Sequence, residues 1–251
     1  FDRALQWLDR ALAVDAHQPH AHNNRGNLLA QLGQHEAAVA SYERAIALWP
    51  DFAEAHGSRG NALFALNRID EAVASFDRAI ALQPNHPGVY NNRGVALAAK
   101  NSPEAALASY ERAIALAPDY AEAHFNRGGT FKTLRRWEQA VACYERVIAL
   151  MPDSAEAHFH RADALMALNR VDAAIEGFDR ARALDANLPF LCGYWLHGRA
   201  HECDWRDEPA RLAELASRVR RGEPAAPPFV AAILLAGVAL PFGCGFFCFI
   251  A

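Results

Sequence analysis

Residues 121–154, AEAHFNRGGTFKTLRRWEQAVACYERVIALMPDS, decide the fold, because the same pattern recurs every 34 residues on both sides of them. A shift by this period keeps four positions nearly constant: a small residue, an alanine, an aromatic ring and a proline. The small residues are Gly26, Gly60, Gly94, Gly128 and Ala162, and the alanines are Ala38, Ala72, Ala106, Ala140 and Ala174. The aromatic residues are Tyr42, Phe76, Tyr110, Tyr144 and Phe178, and the prolines are Pro50, Pro84, Pro118 and Pro152. Agreement over successive copies establishes an internal repeat.

The constant positions have a common reason in helix packing. A glycine on one helix and an alanine on the next leave room where two antiparallel helices cross, and the ring is expected to fill the space against the next unit. Proline ends each second helix because it cannot continue the hydrogen-bond ladder. One pair of helices cannot bury its apolar face alone, so the sequence predicts that successive pairs stack into a solenoid.

The spacing within residues 121–154 resembles that of the tetratricopeptide repeat (TPR) family. The residues that carry it are His124, Arg127, Gly128, Phe131, Ala140, Tyr144 and Pro152. His124 and Arg127 depart from the Trp and Leu that are usual in the family. The resemblance implies an all-α fold, an α-solenoid in which helix–turn–helix repeats form a right-handed superhelix. Such solenoids bind protein or extended peptide segments along their concave face, which is the partner class expected here.

The repeat also predicts how the chain is divided. Residues 1–18 match only the second helix of a unit, so we interpret the chain as beginning in mid-repeat. Five full units are predicted at residues 19–52, 53–86, 87–120, 121–154 and 155–188. Residues 189–224 contain two further helical segments that are expected to cap the solenoid. Residues 225–251 form an apolar tail, which we interpret as a truncated or frame-altered end.

Local signals mark the ends of the predicted helices. Acidic or amide residues just before the first helices are candidate N-terminal caps, namely Asp51, Asn85, Asp119 and Asp153. The turns between paired helices contain residues that accept left-handed backbone angles, namely Gly33, Asn67, Asn101 and Asn169. Pro103 falls at the start of a second helix, where proline is tolerated.

Charge and cysteine content restrict the classes of partner and compartment. The net charge of −4 over 251 residues argues against nucleic acid as the main partner, because a phosphate-binding surface carries a basic excess. The five cysteines are odd in number and include no CxxC pair, so they do not make a disulfide framework. This usage favours a reducing compartment and predicts a cytoplasmic location.

A narrower resemblance lies in residues 195–229, WLHGRAHECDWRDEPARLAELASRVRRGEPAAPPF. This segment resembles the connector between the repeat array and the catalytic region in bacterial members of the SPINDLY and peptide O-GlcNAc transferase family. His201, Cys203, Asp204 and Trp205 carry most of the resemblance, with support from Gly222, Glu223 and the Pro227-Pro228-Phe229 end. It implies that the chain is the substrate-recruiting arm of a glycosyltransferase-like protein whose nucleotide-sugar-dependent region is absent from these residues.

Catalytic motifs are missing from the sequence itself. It contains no Gly-rich phosphate loop, no nucleophile elbow and no HExxH motif. We therefore predict no catalytic residue, no cofactor and no metal for this chain. His197 and His201, with Cys192 and Cys203 nearby, make a zinc site conceivable, but the ligand spacing of a known finger is lacking.

One polar position of the first helices is a candidate peptide-binding row. Resemblance to the transferase family points to Asn24, Ser58, Asn92, Asn126 and His160. The adjacent residues Asn27, Asn61 and Asp163 extend this row. Side-chain amides at 34-residue intervals can each donate to and accept from an extended peptide backbone, which gives affinity with little sequence preference. The alternative is that these residues are merely solvated helix positions.

Two other polar positions repeat and are interpreted as structural. The first is occupied by Arg25, Arg59, Arg93, Arg127 and Arg161. Their guanidinium groups are expected to pair with acids of the second helices, such as Glu43, Asp77 and Glu111, although acidic ligands are the alternative. The second is occupied by His22, His56, His124 and His158, with Tyr90 in the same place. A position shared with tyrosine indicates packing.

The uncharged tail, FVAAILLAGVALPFGCGFFCFIA at residues 229–251, is long enough to cross a bilayer. Arg218, Arg220 and Arg221 precede it and would keep the solenoid on the cytoplasmic side. Glycine and proline interrupt the tail, and the connector resemblance predicts soluble sequence at this place. A free-standing TPR adaptor anchored to the membrane by this tail is therefore the alternative function.

Overall fold

The computed structural model describes residues 2–201 and 208–226, which form thirteen α-helices and contain no β-strand. The helices are α1 (Asp2–Val14), α2 (Pro19–Gln31), α3 (His35–Leu48), α4 (Ala53–Ala65), α5 (Ile69–Leu82), α6 (Pro87–Ala99), α7 (Pro103–Leu116), α8 (Ala121–Thr133), α9 (Trp137–Leu150), α10 (Ala155–Ala167), α11 (Val171–Leu184), α12 (Leu191–His201) and α13 (Glu208–Arg220). The first helix of each pair begins at the first residue of a predicted unit. The prediction of an all-α repeat fold is confirmed.

The contacts within the chain define two compact units, Phe1–Thr130 and Phe131–Ala251. In the first unit, α2 packs on α3, α4 on α5 and α6 on α7, and each pair contacts the next. In the second unit, α10 packs on both α9 and α11, and α12 packs on α11. Each unit is therefore a stack of antiparallel helical hairpins, the arrangement that the repeat predicts.

Each hairpin of the first unit is closed by an aromatic ring that lies over a glycine. A Cβ atom added to Gly26 would lie 2.5 Å from the ring of Tyr42, and one added to Gly94 would lie 2.5 Å from the ring of Tyr110. A Cβ atom added to Gly60 would lie 2.6 Å from the ring of Phe76. The glycine position is thus required by its ring. The ring and the glycine belong to the same hairpin, and the ring also faces the next one as predicted, since Tyr42 hydrogen-bonds Ser58 of α4 and Phe76 lines a groove beside α6.

The second unit replaces this glycine by Ala162 and makes room for it elsewhere. Gly177 on α11 occupies a position where the preceding 34-residue repeats have serine or cysteine. A Cβ atom at Gly177 would lie 2.9 Å from the Cβ of Ala162, which is fully buried. Glycine thus lies on α11 instead of α10 at this crossing, and the two helices still approach closely.

The turns within the hairpins adopt the left-handed backbone that the sequence predicts. Asn67, Asn101 and Asn169 have φ of 59°, 60° and 57°, and Gly33 has φ of 74°. These four predictions are confirmed. Arg135 occupies the same place in the α8–α9 turn with φ of 55°, and the sequence analysis missed it because arginine carries no turn signal.

The predicted N-terminal caps are wrong for the helices whose caps the structure defines. Phe52 precedes α4 and makes no side-chain cap, while His86 and Ser154 cap α6 and α10 by accepting from Val89 N and Ala157 N. Asp51 and Asp153 instead accept hydrogen bonds from Arg78 and Arg180, each 27 residues later, at 2.8 and 3.3 Å. The carboxylates are drawn to a guanidinium of the following second helix rather than to the backbone N–H groups.

Four of the repeated arginines join a first helix to the preceding second helix. Arg25, Arg59 and Arg93 pair with Asp9, Glu43 and Asp77 at 2.7, 3.2 and 2.6 Å in the first unit. Arg161 pairs with Glu145 at 3.1 Å in the second unit. The structural interpretation of these arginines is confirmed at these positions.

The repeated histidines bind the backbone that precedes their own helix. The Nε2 atoms lie 2.9–3.1 Å from the carbonyl oxygen six residues earlier, in the pairs His22–Ala16, His56–Pro50, His124–Pro118 and His158–Pro152. Burial lowers the pKa of His56, so its imidazole is neutral and donates Nε2–H to the carbonyl. The packing interpretation of this position is confirmed.

The C-terminal helices continue the contacts of the repeat although the repeat pattern fades there. Trp195 of α12 lies 34 residues after Arg161, and its Nε1–H donates to Asp179 at 2.7 Å, across the same 16 residues as the arginine pairs. Leu215 of α13 is fully buried, and Gly193 N donates to Ala225 O at 2.8 Å. The segment after α13 therefore returns to α12.

Candidate functional site

The predicted row of polar residues lies on the first helices and is divided between the two units. Asn24 and Asn27 are on α2, Ser58 and Asn61 on α4, Asn92 on α6 and Asn126 on α8, all within the first unit. His160 and Asp163 are on α10 in the second unit. The structure brings Ser58, Asn61 and Asn92 to one groove between α4 and α6.

Four asparagine side chains of the first unit form a continuous chain of hydrogen bonds. Asn126 Nδ2 donates to Asn91 Oδ1 at 3.0 Å, and Asn91 Nδ2 donates to Asn92 Oδ1 at 3.3 Å. Asn92 Nδ2 then donates to Asn61 Oδ1 at 2.9 Å. We call these four residues the amide row. Their mutual bonds orient the amides, so they are not independently solvated side chains.

Two buried asparagines support the first-helix face, and the sequence analysis did not select them. Asn23 Nδ2 donates to Glu54 Oε1 at 2.9 Å, and Asn91 Nδ2 donates to Glu122 Oε1 at 3.1 Å, each across 31 residues. Asn91 is fully buried and links Asn92 to Asn126. The available signal was its place beside Asn92, one residue along a repeating helix.

Two of the remaining predicted residues in the first unit, Asn27 and Ser58, hydrogen-bond a buried tyrosine, Tyr42. Tyr42 donates its hydroxyl hydrogen to Asn27 Oδ1 at 2.8 Å. Burial raises the pKa of Tyr42 to about 12, while a hydrogen bond with Ser58 opposes the shift. Asn24, one turn before Asn27, is exposed to solvent. Asn27 is therefore partly used in the fold, whereas Asn24 is open to a partner.

The groove between α4 and α6 has a volume of about 370 Å³. Its apolar side is formed by Phe76, Ala79 and Val89. Its polar side includes Glu54, Ser58, Asn61, Gln83, His86, Asn92 and Tyr120, and Gly57 and Gly88 complete it. The groove thus places hydrogen-bonding groups beside an apolar surface, as sites for extended peptides do.

His160 and Asp163 of the second unit share one lysine. Lys132 Nζ lies 3.1 Å from His160 Nδ1 and also pairs with an Asp163 carboxylate oxygen. Burial and the positive charge of Lys132 lower the pKa of His160 to about 4, so the imidazole is neutral near pH 7 and accepts from the ammonium group. Tyr144 stacks on His160 with ring centroids 5.6 Å apart. Lys132 therefore ties His160 and Asp163 together in the second unit.

Metal chemistry receives no support from the described part of the chain. Within residues 2–201 and 208–226, no group of three or more His, Cys, Asp or Glu side chains is placed to hold a metal ion. The side chains of His201 and Cys203, considered above for zinc, lie outside the described residues.

The membrane alternative concerns residues that the structure does not describe. In the described ranges, no helix combines the length and the apolar character needed to cross a bilayer. Residues 229–251, on which that alternative depends, lie outside these ranges, as do the connector residues Cys203, Asp204 and Trp205.

Profiles of one family match most of the repeat region. A profile described as tetratricopeptide repeat matches residues 1–51, 24–88 and 128–189. A second, described as TPR repeat, matches residues 96–134. A search of curated proteins gives no match.

Solved structures with the same helical arrangement come from several proteins. The pilF protein of Pseudomonas aeruginosa is 18% identical with a TM-score of 0.74, and the match covers 87% of this chain and 97% of that one. YrrB, described as a TPR protein with an unusual peptide-binding site, is 22% identical with a TM-score of 0.63, covering 77% and 97%. MamA from Desulfovibrio magneticus RS-1 is 22% identical with a TM-score of 0.63, covering 68% and 96%. At these identities the likeness shows the fold alone.

Proposed function

Because the chain belongs to the tetratricopeptide repeat family, we propose that it is a protein-binding scaffold that holds an extended peptide segment on the first helices of its first unit. The observation that carries this proposal is the amide row beside the groove. Solenoids of helical hairpins bind along the face that their first helices line. The similarity to YrrB, a TPR protein with an unusual peptide-binding site, supports the same class of ligand.

The amide row suits a peptide backbone because its partly exposed amides keep hydrogen-bonding capacity after their internal bonds are made, while the buried Asn91 uses both N–H groups within the fold. A side-chain amide has two N–H donors and two acceptor lone pairs. Asn92 gives one N–H to Asn61 and accepts one bond from Asn91, so a donor and an acceptor remain. A backbone peptide group needs one of each. An oriented row of amides can therefore bind successive peptide groups with little preference for the peptide's side chains.

The experiment is a binding titration with fluorescently labelled, unstructured peptides drawn from a randomised pool. We expect the double variant Asn92→Ala and Asn126→Ala to bind the pool about thirtyfold more weakly, since two lost hydrogen bonds at about 1 kcal/mol each remove about 2 kcal/mol of binding free energy. Asn187→Ala, an exposed asparagine outside the first helices, is the matched control and should bind as the native chain does. Unchanged affinity of the double variant would remove the amide row from the site. Failure of the native chain to bind any peptide would overturn the scaffold function.

The finer proposal is that this scaffold recruits substrates for an O-GlcNAc-transferase-like glycosyltransferase in the cytoplasm. It is supported by the resemblance of residues 195–229 to the connector of that family, and by the cysteine usage. Sequencing the gene beyond the codon for Ala251 is the direct test. A nucleotide-sugar-dependent transferase region in frame would support the proposal, and a different continuation or a stop codon would overturn it.

A further inference from the structure

The groove between α4 and α6 coincides with a break in the repeat. At the junctions before and after it, a buried asparagine donates to a glutamate 31 residues later, in the pairs Asn23–Glu54 and Asn91–Glu122. The corresponding residues at this junction are Gly57 and Gly88. Both members of the pair have lost their side chains, and both glycines line the groove.

Neither glycine is required by the fold. Neither has a positive φ. A Cβ atom at Gly57 would lie 3.7 Å from the nearest atom, Val89 Cγ2, which is an ordinary contact. A Cβ at Gly88 would lie 3.2 Å from Cε1 of the exposed His86 ring, so this ring, which caps α6, would have to shift by a few tenths of an ångström. Glycine within a helix is destabilising relative to alanine. The two glycines therefore lower stability and provide space, which indicates a ligand rather than packing.

The charges around the groove are negative. Glu54 is the one carboxylate among the described residues that line it, and no lysine or arginine is among them. One oxygen of Glu54 accepts from Asn23, which fixes the carboxylate at the edge of the groove. Glu122 adds a second negative charge nearby, since its Oε2 accepts from the hydroxyl of Tyr120, a lining residue, at 3.3 Å. A cation is the complementary ligand charge.

Resting on the proposed peptide-binding function, we propose that the groove between Gly57 and Gly88 is a specificity pocket for an arginine side chain of the bound peptide. The aliphatic stem packs on Val89 and Ala79, and the guanidinium lies among Glu54, the amides of Asn61 and Asn92, and the Tyr120 ring. Arginine fits better than lysine because a planar guanidinium is weakly hydrated, stacks on aromatic faces and binds several acceptors at once. A volume of about 370 Å³ accommodates one side chain.

The test compares peptide pools that differ in one residue. Short labelled peptides carry arginine, its neutral isostere citrulline, or glutamate at a fixed central position and random residues elsewhere. We expect the arginine pool to bind the native chain about tenfold more tightly than the citrulline pool, the difference typical of a charge-assisted hydrogen bond, and the glutamate pool to bind most weakly.

Three variants locate the preference. Glu54→Gln keeps the acceptor for Asn23 but removes the negative charge, and should make the affinities of the arginine and citrulline pools equal. The double variant Gly57→Asn and Gly88→Glu restores the pair found at the neighbouring junctions, and should abolish the arginine-to-citrulline ratio by filling the groove. Glu156→Gln removes a carboxylate from the corresponding first turn of α10 in the second unit, and should leave the ratio unchanged.

The outcomes separate the pocket from the scaffold function. Equal binding of the arginine and citrulline pools would overturn the pocket while leaving the scaffold function, and so would a ratio that survives Glu54→Gln. Absence of binding by every pool would overturn both. Asparagine and glutamate have higher helix propensity than glycine, so the double variant should fold. If circular dichroism shows that it does not, the Glu54→Gln ratio decides.

Discussion

Replacing Gly60 by alanine tests the contact between ring and glycine that closes each hairpin of the first unit. The added Cβ would lie 2.6 Å from Cε1 of Phe76 and 2.7 and 2.9 Å from two further ring atoms. Phe76 is itself 1% exposed and belongs to the buried core cluster, so its neighbours restrict how far the ring can shift. Overpacking of a filled core costs about 1–3 kcal/mol of folding free energy.

Gly57→Ala is the matched control because it lies on the same helix, α4. Its Cβ would meet Val89 and Ala79 at 3.7 and 4.0 Å, which are ordinary contacts. Both substitutions gain the same helix propensity, about 0.5–1 kcal/mol, so this gain cancels when the two variants are compared. We therefore expect Gly60→Ala to be less stable than Gly57→Ala by about 1–3 kcal/mol. Gly57→Ala should be more stable than the native chain.

Urea unfolding followed by far-UV circular dichroism measures this difference. Both residues belong to the first compact unit, so both variants report on the same transition. The free energies are to be compared only where the slopes of the two transitions agree, since a changed slope signals altered cooperativity. Equal midpoints for Gly60→Ala and Gly57→Ala would refute the packing account of the repeat.

The remaining predictions concern the buried His160 and the left-handed turn residues Arg135 and Gly33. His160 has a pKa lowered to about 4 by burial and by Lys132, against about 6.5 in an unfolded chain, so the unfolded state binds more protons between these values. The free energy of unfolding should fall by about 3 kcal/mol as the pH is lowered from about 6.5 to about 4. Urea titrations at several pH values should show that His160→Asn lacks this part of the dependence of the unfolding free energy on pH. The same pH dependence in the variant and the native chain would contradict the assignment. Arg135→Gly should raise the unfolding free energy by about 0.5–1 kcal/mol because glycine adopts the positive φ of this turn without the steric strain of arginine. Gly33→Arg should lower the unfolding free energy by a comparable amount. A lower melting temperature for Arg135→Gly would show that φ does not govern the stability of this turn.

The sequence was sufficient to predict the helical hairpins because each closing contact joins two repeat positions. Gly60 and Phe76 recur with the same period, and the contact between them explains why both are kept. The turn residues Asn67 and Asn101 were predictable for a similar reason, since their backbone preference is local. Arg135 was missed because the neighbouring hairpins impose its conformation against its own preference.

The helix caps and the groove could not be predicted, because they depend on contacts between residues that are distant in the sequence. The sequence around Asp51 predicts an N-terminal cap of α4, but its carboxylate pairs with Arg78 of α5 instead. Gly57 and Gly88 are visible as departures from the repeat. Their meaning appears only when the structure shows that the corresponding Asn91 and Glu122 touch each other.

The ion pairs of the repeated arginines have a consequence for biosynthesis. Four of the arginines on first helices meet an acid only 16 residues earlier in the chain, as in Arg59–Glu43 and Arg93–Asp77. Contacts of such short sequence separation favour rapid folding, and chains emerge from the ribosome N-terminal end first. Every new hairpin therefore meets a docking surface that has already been synthesised. The array can assemble vectorially during translation, without waiting for its C-terminus.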